Sequence, residues 1–172
     1  MMTETVVTVQ EAPNNNAAPN KQQTASADSP LSWIKLNVDY FKTTPGVLKI
    51  VELILGILCM SLASPAYHGG VHFFLFVATT SFIGTLIWVF IYLLGIREAI
   101  SFPINWILTE LLNTGICAVF YIIAFIVELI VSIAHLHGSY IAAGVFGLLN
   151  AAAYSFATYL LNVEHKSSRA AN

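Results

Sequence analysis

The stretch "INWILTELLNTGICAVFYIIAFIVELIVSIA", residues 104–134, is apolar over more length than the roughly 17 to 25 residues a helix needs to cross a bilayer, and its only charges are two acids. Steps of 3.6 residues from Glu110 land on Thr114, Cys117, Tyr121, Ala124, Glu128 and Ser132, so every polar or small residue of that series shares one helical face. An ionisable group is expensive in hydrocarbon and turns toward protein or water. The stripe is therefore expected to face the interior of a helix bundle, with Ile116, Val119, Ile123 and Ile126 turned to lipid or neighbouring helices.

Working outward, three more apolar runs appear at about 47–63, 73–94 and 141–161, giving four crossings with 104–134. The whole chain is 57% hydrophobic and 9% charged, too few charges to cover a soluble surface. The fold class expected is all-α, an integral membrane four-helix bundle. Its domain occupies 30–165, between a tail of 1–29 and a short tail of 166–172. Residues 1–29 are mostly Asn, Gln, Pro, Thr, Ala and Ser, a composition with too little apolar surface to offset the entropy of ordering. That tail is expected to be disordered and cytosolic.

Orientation follows from the basic residues. Lys21, Lys35, Lys42 and Lys49 precede or begin the first span, Arg97 sits in the second loop, and Lys166 and Arg169 end the chain. The first and third loops, "SPAYHGGVH" and "HLHGSY", carry no Lys or Arg. Positive residues mark the cytosolic side, which puts both termini in the cytosol and makes Lys35, Lys42, Lys49 and Arg97 an interfacial basic set.

Before the first span, "DSPLSWIKLNVDYFK" offers a cap at Asp28 or Ser29 and Pro30 at the first helical position, with Thr44 and Pro45 as a second start. Two starts predict a short amphipathic helix in the membrane interface followed by the first span. Within that span Glu52 is the one acid. Lys49 is placed to snorkel to the interface, and Gly56, one turn onward from Glu52, leaves room for another helix. Glu110 enters at similar depth, so Glu52 and Glu110 are expected either to share a proton or to draw in Lys49 or Arg97. In the fourth span Ala143, Gly147, Ala151 and Ser155 recur every fourth residue, a small-residue ladder suited to close packing, and Thr80 with Gly84 forms a shorter one.

The segment "YFKTTPGVLKIVELILGIL", with its aromatic, Pro-Gly, intramembrane Glu and following Gly, resembles the start of the first span of MARVEL-domain proteins, in particular the CKLF-like and plasmolipin branch. The ending "NAAAYSFATYLL" resembles that family's fourth span. The resemblance covers residues 35 to 165. It implies a non-catalytic organiser acting in vesicle trafficking, membrane apposition or at cell junctions, or in the stabilisation of partner membrane proteins, located at the plasma membrane or on trafficking vesicles.

Several other chemistries are disfavoured by the sequence. Net charge of −2 and scattered bases argue against a nucleic-acid partner. Cys59 and Cys117 lie inside spans, which leaves no extracellular disulfide framework. The loop histidines His68, His72, His135 and His137 lack a convincing fourth ligand for zinc, though a pH-sensitive outer face is compatible with them. With no phosphate loop or nucleophile motif, the chain reads as no enzyme, without cofactor or metal. Its expected partners are membrane lipids and other integral membrane proteins, and self-association fits the layout. The residues expected to carry packing or intramembrane polarity are Glu52, Glu110, Thr114, Tyr121, Glu128, Gly147 and Ala151. The alternative function is a small proton-coupled transporter or channel that uses the glutamates Glu52, Glu110 and Glu128.

Overall fold

The computed structural model describes residues 36–99 and 105–170 of the 172-residue chain. The expected tail of 1–29, the helix start at Asp28 to Pro30 and the base Lys35 lie outside the described residues. Four long helices, α1 (Thr44–Ala63), α2 (Gly69–Leu93), α4 (Trp106–His135) and α5 (Gly138–Ala170), are each long and apolar enough to cross a membrane. A single turn, α3 (Ile96–Ala99), follows α2, and a 3-10 turn, Val38–Lys42, precedes α1.

The helices form a square. α1 packs on α2 and α5, and α4 packs on the same two, so α1 faces α4 across one diagonal and α2 faces α5 across the other. Long polar side chains that point inward therefore meet at the centre. The apolar stripe Ile116, Val119, Ile123 and Ile126 is half-exposed on the outside, where lipid is its natural solvent.

Several boundaries differ from the sequence expectation for physical reasons. The cap of α1 is Thr43 rather than Thr44: its hydroxyl accepts from Gly46 N at 3.3 Å, with Pro45 in the first turn. The amphipathic helix expected before it is represented among the described residues by the 3-10 turn alone, which folds back on α1. Gly46 permits this close approach, since a Cβ there would lie 2.9 Å from Phe41 Cα. Asn37 N donates to Leu93 O at 2.9 Å and ties the turn to the end of α2. Gly95, at φ 61°, supplies the left-handed residue that stops α2. At the other terminus α5 continues to Ala170, past the expected end at Leu161, because no Gly or Pro interrupts it.

Candidate functional site: a buried ion cluster beneath an interfacial cavity

On α1 the inward face is Gly46, Lys49, Glu52, Gly56, Cys59 and Ala63, spaced three or four residues apart. This spacing stacks Lys49 and Glu52 on one side of the helix, with their charged groups 3.7 Å apart. Across the diagonal, α4 contributes Glu110, whose Oε1 lies 3.3 Å from Lys49 Nζ. Thr114, one turn on from Glu110, accepts from Lys49 at 3.4 Å. All four residues are at most 2% exposed.

Lys49 was expected among the interfacial bases, with its ammonium at the membrane surface. It is instead enclosed, because two carboxylates and a hydroxyl converge on it and replace the water it would otherwise seek. Of the alternatives open for Glu52 and Glu110, the structure draws in Lys49. Arg97 stays outside, 4.0 Å from Glu164 with both side chains part-exposed. Lys42 is exposed and pairs with Asp39 at 2.6 Å.

Each acid has a further partner from α2. Tyr92 donates its phenol to Glu110 Oε2. Thr85 donates to Glu52 Oε2 at 3.2 Å, which leaves the single hydroxyl proton of Tyr154, on α5, shared between Thr85 Oγ1 at 2.7 Å and Ser81 O at 3.2 Å. The cluster thus joins all four helices at one end of the bundle. Above it, Tyr92 stacks on Tyr40 with ring centroids 4.1 Å apart and planes 6° apart. Burial, then the carboxylates of Glu110, Glu52 and Glu164, pushes the Tyr40 phenol above its ordinary pKa, with Arg97 opposing.

Toward the opposite end the interior is less well paired. The stripe continues through Cys117, Tyr121, Ala124, Glu128 and Ser132, all buried. Tyr121 stacks on Tyr154 at 5.3 Å. Among the described residues, the Tyr121 hydroxyl, both carboxylate oxygens of Glu128 and both side-chain amide atoms of Asn150 have no hydrogen-bond partner. At the far surface His68 stacks on His135 at 3.8 Å, and Tyr140 donates to Pro65 O at 2.5 Å.

The small-residue ladder on α5 holds in part. Ala143, Gly147 and Ala151 are buried, and a Cβ on Gly147 would lie 2.7 Å from Phe74 Cε2 and 3.1 Å from Phe125 Cβ. Ser155 is exposed. A step of four residues turns a helix 400°, so the series drifts 40° each time, and Tyr154, Ala157 and Leu161 take over the inward face. The same drift applies on α2: Thr80 is exposed, Gly84 is half-buried, and Ser81 and Thr85 point inward instead.

Thr85, Tyr92, Asn150 and Tyr154 were not singled out from sequence. Ser81 with Thr85, and Asn150 with Tyr154, are polar pairs four residues apart within otherwise apolar spans, and that spacing is the signal that could have found them. Among the described residues no cluster of three or more His, Cys, Asp or Glu side chains is placed to hold a metal.

Four apolar crossing helices around a polar, closely packed centre define a multi-pass integral membrane protein. The MARVEL family, described as a membrane-associating domain, matches residues 40–160, which span α1 to α5 and include every residue of the ion cluster. The chain belongs to the MARVEL family. No solved structure matches it significantly.

Proposed function

We propose that the chain is a non-catalytic membrane organiser acting in vesicle trafficking, membrane apposition or the stabilisation of partner membrane proteins, as in the CKLF-like and plasmolipin branch it resembles. One observation carries this reading: among the described residues, the surface available for recognition is mostly the apolar exterior of helices long enough to cross a membrane. The far end of the bundle has only Ser64–His68 and Leu136–His137 between helices, too little to form a binding domain. The helix exteriors, by contrast, present half-exposed Ile, Val, Leu and Phe along their length. Other helices and lipids are the partners such faces suit.

The orientation proposed puts both termini in the cytosol. Lys42, Lys49, Arg97, Lys166 and Arg169 all belong to the end where α1 and α4 begin, which supports it. A membrane-impermeant thiol probe applied to intact vesicles of known sidedness checks it: Tyr67→Cys, 70% exposed at the far end, reacts from the non-cytosolic side and Lys166→Cys does not. The reverse pattern overturns the orientation.

The organiser role is tested by deleting the chain from cells that express it and quantifying membrane proteins at the plasma membrane. A defined subset should lose surface abundance with unchanged transcript and regain it on re-expression. An unaltered set contradicts the reading. One observation favours proton-coupled transport as a second reading: Glu128 is buried toward the far end with no hydrogen-bond partner among the described residues, while Glu52 and Glu110 lie toward the near end.

A further inference from the structure

Beside the ion cluster, at the end of the bundle where α1 and α4 begin, lies a cavity of about 240 Å³. Its walls include Tyr40, Tyr92, Arg97, Glu110 and Glu164, with Pro45, Ile91 and Leu161 as its apolar side. A narrower crevice shares Pro45, Glu110, Leu161 and Glu164 and continues toward Lys49. We propose that this cavity binds the headgroup of phosphatidylethanolamine.

Position is the first ground. Pro45 lies in the first turn of α1 and Ile91 in the last turn of α2, so the cavity sits where the spanning helices start and stop, at the depth expected for headgroups rather than hydrocarbon. Tyr40 and Tyr92 are the amphipathic ring type that favours this boundary. The volume is below that of a pocket for a drug-sized ligand and suits a compact polar head.

Charge is the second ground. Glu110, at the base, has one oxygen paired with Lys49, a cation it shares with Glu52, and its second oxygen occupied by Tyr92. Among the described residues, what remains in the wall is one cation and one anion, Arg97 and Glu164, held 4.0 Å apart at the limit of an ion pair and part-exposed at 35% and 49%. Neither saturates the other. A guanidinium offers paired donors suited to a phosphate, and a carboxylate accepts from a primary ammonium. The complement to such a wall is a zwitterion with N–H donors. Choline has no N–H for Glu164, and a headgroup with net negative charge meets Glu164 as a like charge. This inference does not depend on the organiser role.

Native mass spectrometry of the full chain in detergent, with dioleoyl phosphatidylethanolamine, phosphatidylcholine and phosphatidylglycerol at equal concentration, tests the site. The ethanolamine lipid should be retained about tenfold over the choline lipid, the ratio that one charged hydrogen bond supplies. Glu164→Gln should remove most of that gap, Glu164→Asp should keep it, and Arg97→Gln should lower retention of both phospholipids. Thermal unfolding without lipid confirms that each variant is folded, as expected for part-exposed side chains. Equal retention of the ethanolamine and choline lipids, or a gap that survives Glu164→Gln, overturns the proposal. Soluble phosphoethanolamine should displace the bound lipid. Binding of the soluble compound without retention of the lipid rejects a membrane source for the ligand.

Discussion

Lys49 Nζ lies 3.3 Å from Glu110 Oε1, an ion pair that crosses the diagonal of the bundle and joins two helices whose backbones do not pack on each other. Glu52, at 3.7 Å, makes Lys49 the shared cation of two buried acids. Removing the one cation leaves two buried carboxylates without a countercharge in a poorly solvated place, whereas neutralising all three groups does not. Lys49→Met should therefore lower stability by about 3–5 kcal/mol. The triple variant Lys49→Met, Glu52→Gln, Glu110→Gln should recover most of the loss. Unfolding in detergent gives both numbers, and equal losses in the single and triple variants would show that charge compensation is not what holds these helices.

Gly147 sits against Phe74 and Phe125 with no space for a side chain. Gly147→Leu should overpack the contact of α5 with α2 and α4, with a loss of at least about 1–3 kcal/mol. Ala151→Leu, at 2% exposure, should behave similarly. Ser155→Leu, exposed on the same helix, should leave the unfolding midpoint unchanged. A loss at Ser155 as large as at Gly147 would contradict the inward face assigned to α5.

Much of this arrangement is legible in the sequence, and the limits are instructive. The inward face of α4 follows from the 3.6-residue recurrence of Glu110, Thr114, Cys117, Tyr121, Glu128 and Ser132, because polarity in an apolar helix marks one face without reference to other helices. The four-residue ladder on α5 misleads after Ala151, since small residues carry no polarity signal and the period is not the helical one. Lys49 is ambiguous by nature: a lysine near a helix start can reach the surface or turn inward, and its partner on α4 decides which. The link from Glu52 through Thr85 to Tyr154 needs the packing order of the helices, which no local pattern encodes.

Among the described residues Glu128 has neither a cation nor a hydrogen-bond donor, and its side chain is wholly buried. Replacing an unsatisfied polar group by an apolar one of similar size removes a desolvation cost of about 1–3 kcal/mol. Glu128→Met should raise the unfolding midpoint. A midpoint lowered by Glu128→Met would mean that this carboxylate has a stabilising partner.

Partial burial, together with the imidazoles of His135 and His137, holds His68 below the ordinary histidine value of 6.5. Tyr140 lies beside His137, with ring centroids 5.0 Å apart, and His72 is one turn on from His68. A histidine lowered in the folded state binds its proton first when unfolded. Its contribution is therefore present above pH 6.5 and is lost as pH falls through and below that value. Amide protection in residues 64–70 and 134–141, taken relative to the intrinsic exchange rate at each pH, should fall as pH is lowered from 7.5 to 5.5, and His68→Gln should flatten that dependence. Unchanged protection in the parent protein over that range would show that the stacked pair is not a pH-sensitive contact.

A polar interior that holds helices together, rather than forming a route across the membrane, leaves an imposed proton gradient intact. Purified protein reconstituted into liposomes with an imposed proton gradient and a pH-sensitive dye measures this most directly. Gradient decay should match that of protein-free liposomes and should not differ between the parent chain and Glu128→Gln. A proton flux carried by the parent and abolished in a folded Glu128→Gln variant would contradict the organiser reading and establish the transporter in its place.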